Sequence, residues 1–300
     1  MSLDSKGRGW VMAASSTTIA ATAQQHPTAL RRLEAQAAAA AVQPLAEALA
    51  QAQAAATRRW LHSTSPAQTA PTDGALAMLI AAVRTELAAA FRGQGTQAQR
   101  AIQRAAYTAA QLGARQAGSL VADMTGTRPP NVQPFIGPDA KAAADSAPAA
   151  VEEEHQHALA LLTTASLTAL GFSGLLAVFN RARRAIGRIT RTMAVAVTSA
   201  AAWGVTAIAR AIGPTVRLLW VTEPGACPAC AAYAGRSILP GQKFPARLSL
   251  DPRRTRFPTA ISGPPRHPHC RCSLVPYLPE WHTGGTPLPA LLRRHARGGR

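Results

Sequence analysis

Apolar residues recur at every third or fourth position between Leu30 and Trp60, and most of them are alanine. This spacing predicts one long helix, with an apolar stripe made of Leu33, Ala37, Ala41, Leu45, Leu49, Ala52, Ala56 and Trp60. Alanine favours helix but buries little area. Because only 5% of the 300 residues are aromatic, large β-sandwiches and doubly wound sheets are disfavoured, since both need dense Val, Ile and aromatic strands.

Proline, glycine and local composition divide the chain into six predicted segments. They are a loose N-terminal arm (1–26), a helical region (27–126), a Pro-rich linker (127–149), a helical hairpin (150–214), a small module with all the cysteines (215–280) and a basic C-terminal tail (281–300). The predicted fold class is therefore mainly α, with long Ala-rich helices followed by a small α+β C-terminal module.

The helical region predicts a kink in one helix and a close contact between two helices. Pro44 is expected to kink the first helix. A helix over 97–121 presents small residues, including Ala105, Ala109 and Gly113, on one face. Because the distance between two helices depends on the side chains at their contact, this face allows a neighbour to approach closely.

The stretches 158–179 and 192–209 contain no charged residue, and five arginines lie between them. They predict either two transmembrane spans joined by a positive loop or two Ala-rich helices packed inside the protein. The second stretch is close to the lower limit of about 17 residues for a span and is rich in small residues. We therefore prefer packing inside the protein and keep a membrane-associated 158–209 hairpin as an alternative.

The net charge of +18 is concentrated at the C-terminal end, because residues 201–300 contain 14 basic residues and three acidic ones. Nearly all the basic residues are arginine, which suits phosphate contacts. Contact with nucleic-acid phosphates, without base readout, is expected from Arg253, Arg254, Arg256, Arg266, Arg271, Arg293, Arg294 and Arg297. The alternative interpretation is solvated surface charge.

The four cysteines form two pairs, Cys227 and Cys230 in CPAC and Cys270 and Cys272 in HPHCRC. No secretory signal is recognised, so a reducing cytosol is expected, and there paired spacing favours a metal over disulfides. A CxxC turn aims two thiolates at one point, and a second pair about 40 residues later completes a tetrahedral zinc site. His267 can replace one of the four thiolates. Two disulfides or free thiols remain alternatives.

The 215–280 module also needs a metal on grounds of size. A strand is predicted over 216–222, but the rest is rich in Pro, Gly and Arg, with too few large apolar residues for stability by burial alone. We therefore expect the module to be stabilised by zinc. A closed four-ligand site leaves no position for a reactive water, which argues against metal catalysis.

The chain shows no recognised catalytic motif. GxSxG, P-loop and GxGxxG patterns are missing from the sequence. The EEEHQH segment is expected to form the solvated start of a helix, because His155 and His157 are two residues apart and lie on different helix faces. We therefore expect that the protein is not an enzyme.

The cysteine motifs carry a resemblance to a known family. The sequence runs from Leu219 to Cys230 as LWVTEPGACPAC, continues through Gly235, and returns from Gly263 to Cys272 as GPPRHPHCRC. This combination resembles the C-terminal signature of the tailed-phage minor head proteins, the phage Mu F-like head morphogenesis family. The likeness covers about 60 of the 300 residues. His269 stands where the family often has Asn.

The resemblance implies a low-copy structural protein of the virion, present in the host bacterial cytoplasm during assembly. Its expected partners are the phage portal protein, the genomic double-stranded DNA and the major capsid or scaffold protein, and its expected role is in capsid assembly and in genome packaging or ejection. A zinc-containing DNA-binding or DNA-processing protein is the alternative from another functional class.

Overall fold

A computed structural model describes residues 14–64, 71–251, 253, 257–281 and 284–298. The helices in this part are α1 (Ser16–Ser63), α2 (Asp73–Phe91), α3 (Gln94–Thr125), α4 (Pro138–Leu161), α5 (Thr164–Leu170), α6 (Phe172–Ala182), α7 (Arg184–Ile212), α8 (Pro228–Ala231) and α9 (Leu288–Gly298). The strands are β1 (Arg217–Val221), β2 (Ser237–Ile238) and β3 (Ser273–Tyr277). The expected fold class, mainly helical with a small sheet near the C-terminus, is confirmed.

The chain forms two compact units. Residues up to 34, 104–141 and 194–300 belong to the first unit, and residues 35–103 and 142–193 belong to the second. The 215–280 segment therefore belongs to a larger unit, together with parts of α1, α3 and α7. It does not form the separate module predicted from the sequence.

The sheet of the first unit has β1 at its centre, in the order β2-β1-β3 with antiparallel pairs. Alternate residues of a strand point to opposite faces, and β1 is buried on both. Leu218 and Trp220 pack in one hydrophobic cluster, whereas Leu219 and Val221 pack in another. A strand buried in this way needs cover from two sides.

Helices supply the cover on each face. On the Trp220 face the cover comes from α3 and α7, through Ala114, Ala117, Ala202, Val205, Ile208 and Ala209. On the Leu219 face it comes from α1, α3 and α9, through Ile19, Ala20, Ala23, Leu120, Met124, Leu288, Leu291 and Leu292. The large apolar area that the 215–280 segment lacks is thus provided by helices elsewhere in the unit.

This packing corrects both predicted chain ends. The loose arm predicted over 1–26 is wrong from Ser16 onward, where α1 begins; residues 1–13 lie outside the described residues. The basic tail predicted over 281–300 contains α9 between 288 and 298. In both cases the apolar residues that cover β1 make the segment part of the core.

Helix boundaries correct the predicted linker. Pro44 does not interrupt α1, although it removes one backbone hydrogen bond. The linker predicted over 127–149 ends at Pro138, which begins α4 because the first turn of a helix needs no proline N–H. An alanine-rich run after Asp139 then favours helix. EEEHQH consequently lies inside α4, and the helix start predicted there is wrong.

The hairpin predicted over 150–214 is also divided differently. The uncharged 158–179 stretch is shared among α4, α5 and α6, with a turn at Gly171, whose φ is 58°. By length and composition alone, Asp73–Thr125 and Phe172–Ile212 each contain a window apolar enough to cross a membrane. In the second, 72% of that window is buried within the protein, as in the core helices of soluble proteins.

The close helix contact expected at the small-residue face of α3 is present in the first unit. A Cβ added at Gly113 would lie 2.2 Å from the Ala201 carbonyl oxygen, and one added at Gly204 would lie 2.1 Å from the Ala110 carbonyl oxygen. Both glycines therefore let the backbones of α3 and α7 touch.

We predict that Gly113→Ala and Gly204→Ala each lower the free energy of unfolding by about 1–3 kcal/mol, because the added methyl must displace a helix backbone. Gly187→Ala in α7 is the control, since a Cβ there meets nothing within 4 Å and should stabilise by about 0.5–1 kcal/mol. Chemical denaturation measures all three. Wild-type stability in the first two variants would contradict the close contact.

Candidate metal centre

The first cysteine pair lies on a tight turn after β1. Cys227 directly precedes α8, and its Sγ accepts a hydrogen bond from the backbone N–H of Cys230 at 3.4 Å. Pro228 fits as the first helical residue because it needs no N–H there. The turn directs both sulfur atoms toward one point.

The second group directly precedes β3. The backbone N–H of Cys270 donates to the His267 carbonyl oxygen at 3.0 Å, and His269 between them has a φ of 62°. In the antiparallel register Val221, the last residue of β1, pairs with Ser273, the first residue of β3. The segment before β3 is therefore placed beside the turn after β1.

All five predicted ligands meet at this point. Cys227, Cys230 and His267 form one group of neighbouring donor atoms, and Cys230, Cys270 and Cys272 form another, so Cys230 belongs to both. Cys230, Cys270 and Cys272 are at most 2% exposed. This cluster could bind a metal ion.

The distances suit tetrahedral coordination. Nε2 of His267 lies 3.3 Å from Sγ of Cys227 and 3.3 Å from Sγ of Cys230, and Sγ of Cys230 lies 3.6 Å from Sγ of Cys270. Ligand atoms bound to one zinc ion at about 2.0–2.3 Å lie about 3.3–3.8 Å apart. All four cysteines are free, and 3.6 Å far exceeds the about 2.05 Å of a disulfide bond. The two-disulfide alternative therefore does not describe this structure.

The hydrogen bonds of His267 fix its tautomer. Its Nδ1 lies 2.8 Å from the Pro268 carbonyl oxygen, which can only accept a hydrogen bond. Nδ1 therefore carries a proton, and Nε2, which faces Cys227 and Cys230, is the nitrogen that holds the lone pair whenever the ring is neutral. A histidine that binds a metal is commonly oriented in this way.

The sulfur atoms share protons within the cluster. Hydrogen bonds from the Cys230 thiol and then from His267 lower the pKa of Cys227 to about 4, and the Cys230 thiol also lowers the pKa of Cys270. The pKa of Cys230 is raised because its thiol donates hydrogen bonds to these two sulfurs, and burial of the thiol raises it further. The bond with Cys227 raises the pKa of His267 to about 9. A divalent cation would supply the same positive charge at the same place.

An aromatic stack supports the His267 imidazole. Phe257 stacks on His267 with ring centroids 5.7 Å apart. The Arg266 guanidinium lies over two aromatic rings, 4.9 Å from the Phe257 centroid and 5.8 Å from the Tyr233 centroid. It also donates a hydrogen bond to the Phe257 carbonyl oxygen at 2.7 Å. Arg266 is 7% exposed, so little of its surface is accessible to nucleic acid, and the predicted contact has no support from its position.

Arg271 is also used internally. Its Nε and a terminal nitrogen donate to the two carboxylate oxygens of Glu34 at 2.9 and 3.1 Å, and Nδ1 of His269 lies 3.5 Å from the same carboxylate. Glu34 is only 5% exposed. The bidentate pair joins α1 to the segment between two of the cysteines, so Arg271 has a partner within the protein, and its contact with nucleic acid stays a prediction.

The remaining arginines predicted to contact DNA have different positions. Arg253, Arg293, Arg294 and Arg297 are exposed, the last three on α9. Arg254 and Arg256 lie outside the described residues. Of the arginines in this set that the structure describes, those exposed to bind an anion therefore lie mainly on α9.

The EEEHQH segment lies within α4 in the second unit and is not a helix start; Glu154 and His155 are buried, and the other four residues are exposed. Glu154 is 2% exposed and lies 3.1 Å from Arg181 and 2.9 Å from Arg188. His155 is 8% exposed and stacks on Phe91. The clustered charges are paired because α4 continues through them.

Sequence reasoning missed Glu34 and Phe257 as supports of the site. A signal exists for Glu34, which follows buried Leu30 by four residues and so takes a core-facing position within the apolar stripe of α1. A charge at such a position indicates a buried partner. Phe257 lies in a segment without secondary structure, and periodicity gives no signal there.

Compared with protein-family models, with curated proteins and with solved structures, the chain shows no significant match.

We predict that Glu34→Gln lowers the free energy of unfolding by about 2 kcal/mol, because Arg271 loses a charged partner in a largely buried pair. Glu47→Gln is the control: Glu47 is exposed on the same helix and should change stability by less than about 0.5 kcal/mol. Chemical denaturation of the full chain compares them. Equal stability of the two variants would mean that the Glu34–Arg271 pair does not hold α1 to the cysteine segment.

Proposed function

We propose that the five-donor cluster binds one zinc ion. Thiolates and imidazole are the ligands of structural zinc sites, whereas calcium and magnesium take oxygen ligands. In support, Nε2 of His267 lies 3.3 Å from the sulfurs of Cys227 and Cys230, and the sulfurs of Cys230 and Cys270 lie 3.6 Å apart. Three of the sulfurs are buried, and the His267 ring presents Nε2 to them. Zinc takes four of the five donors.

We propose a structural role for this ion. Four protein ligands close the coordination shell, so no water is activated. The ion joins the turn after β1 to the segment before β3, and this connection fixes the ends of the two strands. The protein then acts by binding partners and not by catalysis.

On this basis we propose that the protein is a minor head protein of a tailed phage, acting at the portal vertex in capsid assembly and genome packaging or ejection. The observation that carries the proposal is the meeting in space of the CPAC and HPHCRC motifs, the same motifs that resemble the Mu F-like family. The portal protein is the proposed main partner, with the major capsid or scaffold protein as further partners. The virion, and before it the host cytoplasm, is the proposed location.

Contact with the packaged double-stranded DNA is a further part of the proposal. It is supported by the net charge of +18 and by the exposed arginines of α9. Such contacts act through phosphates and lose affinity as salt rises.

We predict that Cys230→Ser abolishes zinc binding, because Cys230 belongs to both donor groups, and lowers the stability of the full chain by at least about 3 kcal/mol. Elemental analysis by mass spectrometry should find one zinc ion per wild-type chain. Ala231→Ser is the control, since it adds a hydroxyl at the neighbouring buried position without removing a donor. Full zinc content in Cys230→Ser would contradict the site.

The same measurement on the other donors identifies the ligands. Among Cys227→Ser, His267→Gln, Cys270→Ser and Cys272→Ser, we expect one variant to keep full zinc content, because five donors serve four positions. Loss of zinc in none of these variants would contradict coordination by this cluster.

We predict that deletion of the gene prevents assembly of infectious heads and that purified virions contain the chain in far fewer copies than the major capsid protein. Quantitative mass spectrometry of virions and a complementation test measure both. The wild-type gene and Ala231→Ser should restore infectious particles, whereas Cys230→Ser should not. Normal particle yield without the gene, and no chain in the virions, would overturn the phage role and leave the zinc site unaffected.

A further inference from the structure

Three arginines converge on one concave surface next to the cysteine turn. A cavity of about 360 Å³ is lined by Arg236, from the turn after α8, and by Arg293 and Arg297 of α9, with Leu248, Ser249 and Leu250 along another side. All of them belong to the first unit. We call this cavity the arginine pocket.

A glycine brings the two parts of the pocket together. Gly235 has a φ of 67°, and a Cβ there would lie 2.1 Å from the Pro289 carbonyl oxygen, so only glycine lets α9 begin against this turn. A terminal nitrogen of Arg293 donates to the Gly235 carbonyl oxygen at 3.0 Å. Arg297 is four residues further along α9 and therefore lies on the same face.

The orientation of Arg236 is also fixed. Its Nε donates to the Ala232 carbonyl oxygen at 3.1 Å. Ala232 directly follows α8, which contains the metal-ligand candidate Cys230. The cysteine turn therefore holds one wall of the pocket, and α9 holds the other.

Among the described residues, no acidic side chain pairs with the arginines of the pocket. None of its lining residues is Asp or Glu, and the arginine ion pairs among the described residues involve other arginines, at positions 31, 59, 181, 188 and 271. Other arginines of the same unit are paired, as Arg271 is with Glu34. Three like charges around one concavity repel each other unless an anion lies between them.

We propose that the arginine pocket binds a phosphate group of the DNA backbone through Arg236, Arg293 and Arg297. The planar guanidinium group matches phosphate oxygens with two parallel hydrogen bonds. Three cations also match a phosphate oxyanion better than a singly charged carboxylate. The identity of DNA as the molecule that carries the phosphate rests on the proposed function, but phosphate binding itself does not.

A neighbouring arginine of α9 lies outside the arginine pocket. Arg294, between two pocket residues in sequence, lines a different cavity with Glu223 and His295. Like Arg293, it is an exposed arginine of α9. Arg294→Gln is therefore a matched control for Arg293→Gln.

The first test titrates the full, zinc-loaded chain with inorganic phosphate by calorimetry at low chloride, with acetate as the competing anion. We expect saturable binding at one site, about tenfold weaker in Arg236→Gln, Arg293→Gln and Arg297→Gln, the equivalent of one charge-assisted hydrogen bond. Arg294→Gln should stay within about twofold of the wild type. No saturable phosphate binding, equal loss in Arg294→Gln, or equal binding of acetate would overturn the pocket.

The second test identifies the molecule that carries the phosphate. Binding of a fluorescent DNA duplex is measured between about 50 and 200 mM salt. The double variant Arg293→Gln/Arg297→Gln should weaken binding and reduce the salt dependence more than Arg294→Gln does. If phosphate binding is lost while DNA binding is unchanged, the assignment to DNA is overturned, and the pocket is a site for a smaller phosphate compound.

Discussion

Five donor atoms lie in two overlapping groups that share Cys230, with the atoms of each group within 4.8 Å of one another, and this arrangement is the constraint on which the rest of the C-terminal structure depends. Buried thiolates at such short separations repel each other unless protons or a cation lie between them. In the protein the Cys230 thiol and the His267 ring form hydrogen bonds with the Cys227 sulfur and provide those protons. The proposed zinc ion would replace them with stronger bonds and join two segments that are far apart in sequence.

The sheet explains why the donors meet at all. The pairing of Val221 with Ser273 places the segment after β1 beside the segment before β3. Because β1 is buried on both faces, its position is fixed by helices from the whole first unit. The Glu34–Arg271 pair adds a direct connection from α1 to the one residue between Cys270 and Cys272. Thus the proposed metal site is supported by a core that the 215–280 segment does not contain.

Sequence reasoning predicted the local features and missed the long-range ones. The CPAC and HPHCRC spacing was enough to predict all five donors, and the apolar run before CPAC was enough to predict β1. Ile19 and Leu288 lie in segments whose composition is typical of loops and tails, and only the uncovered face of β1 accounts for their burial. Arg266 and Arg271 were indistinguishable from surface arginines because their partners, Phe257 and Glu34, are distant or lie outside any periodic pattern.

X-ray absorption at the zinc edge of the purified full chain tests the central claim most directly, because it reports both the metal and its ligands. The account predicts four-coordinate zinc with sulfur ligands at about 2.3 Å and, if His267 is bound, one nitrogen at about 2.0 Å. A six-coordinate shell of oxygen and nitrogen, or no metal in protein whose thiols are freely alkylated in the native state, would contradict it.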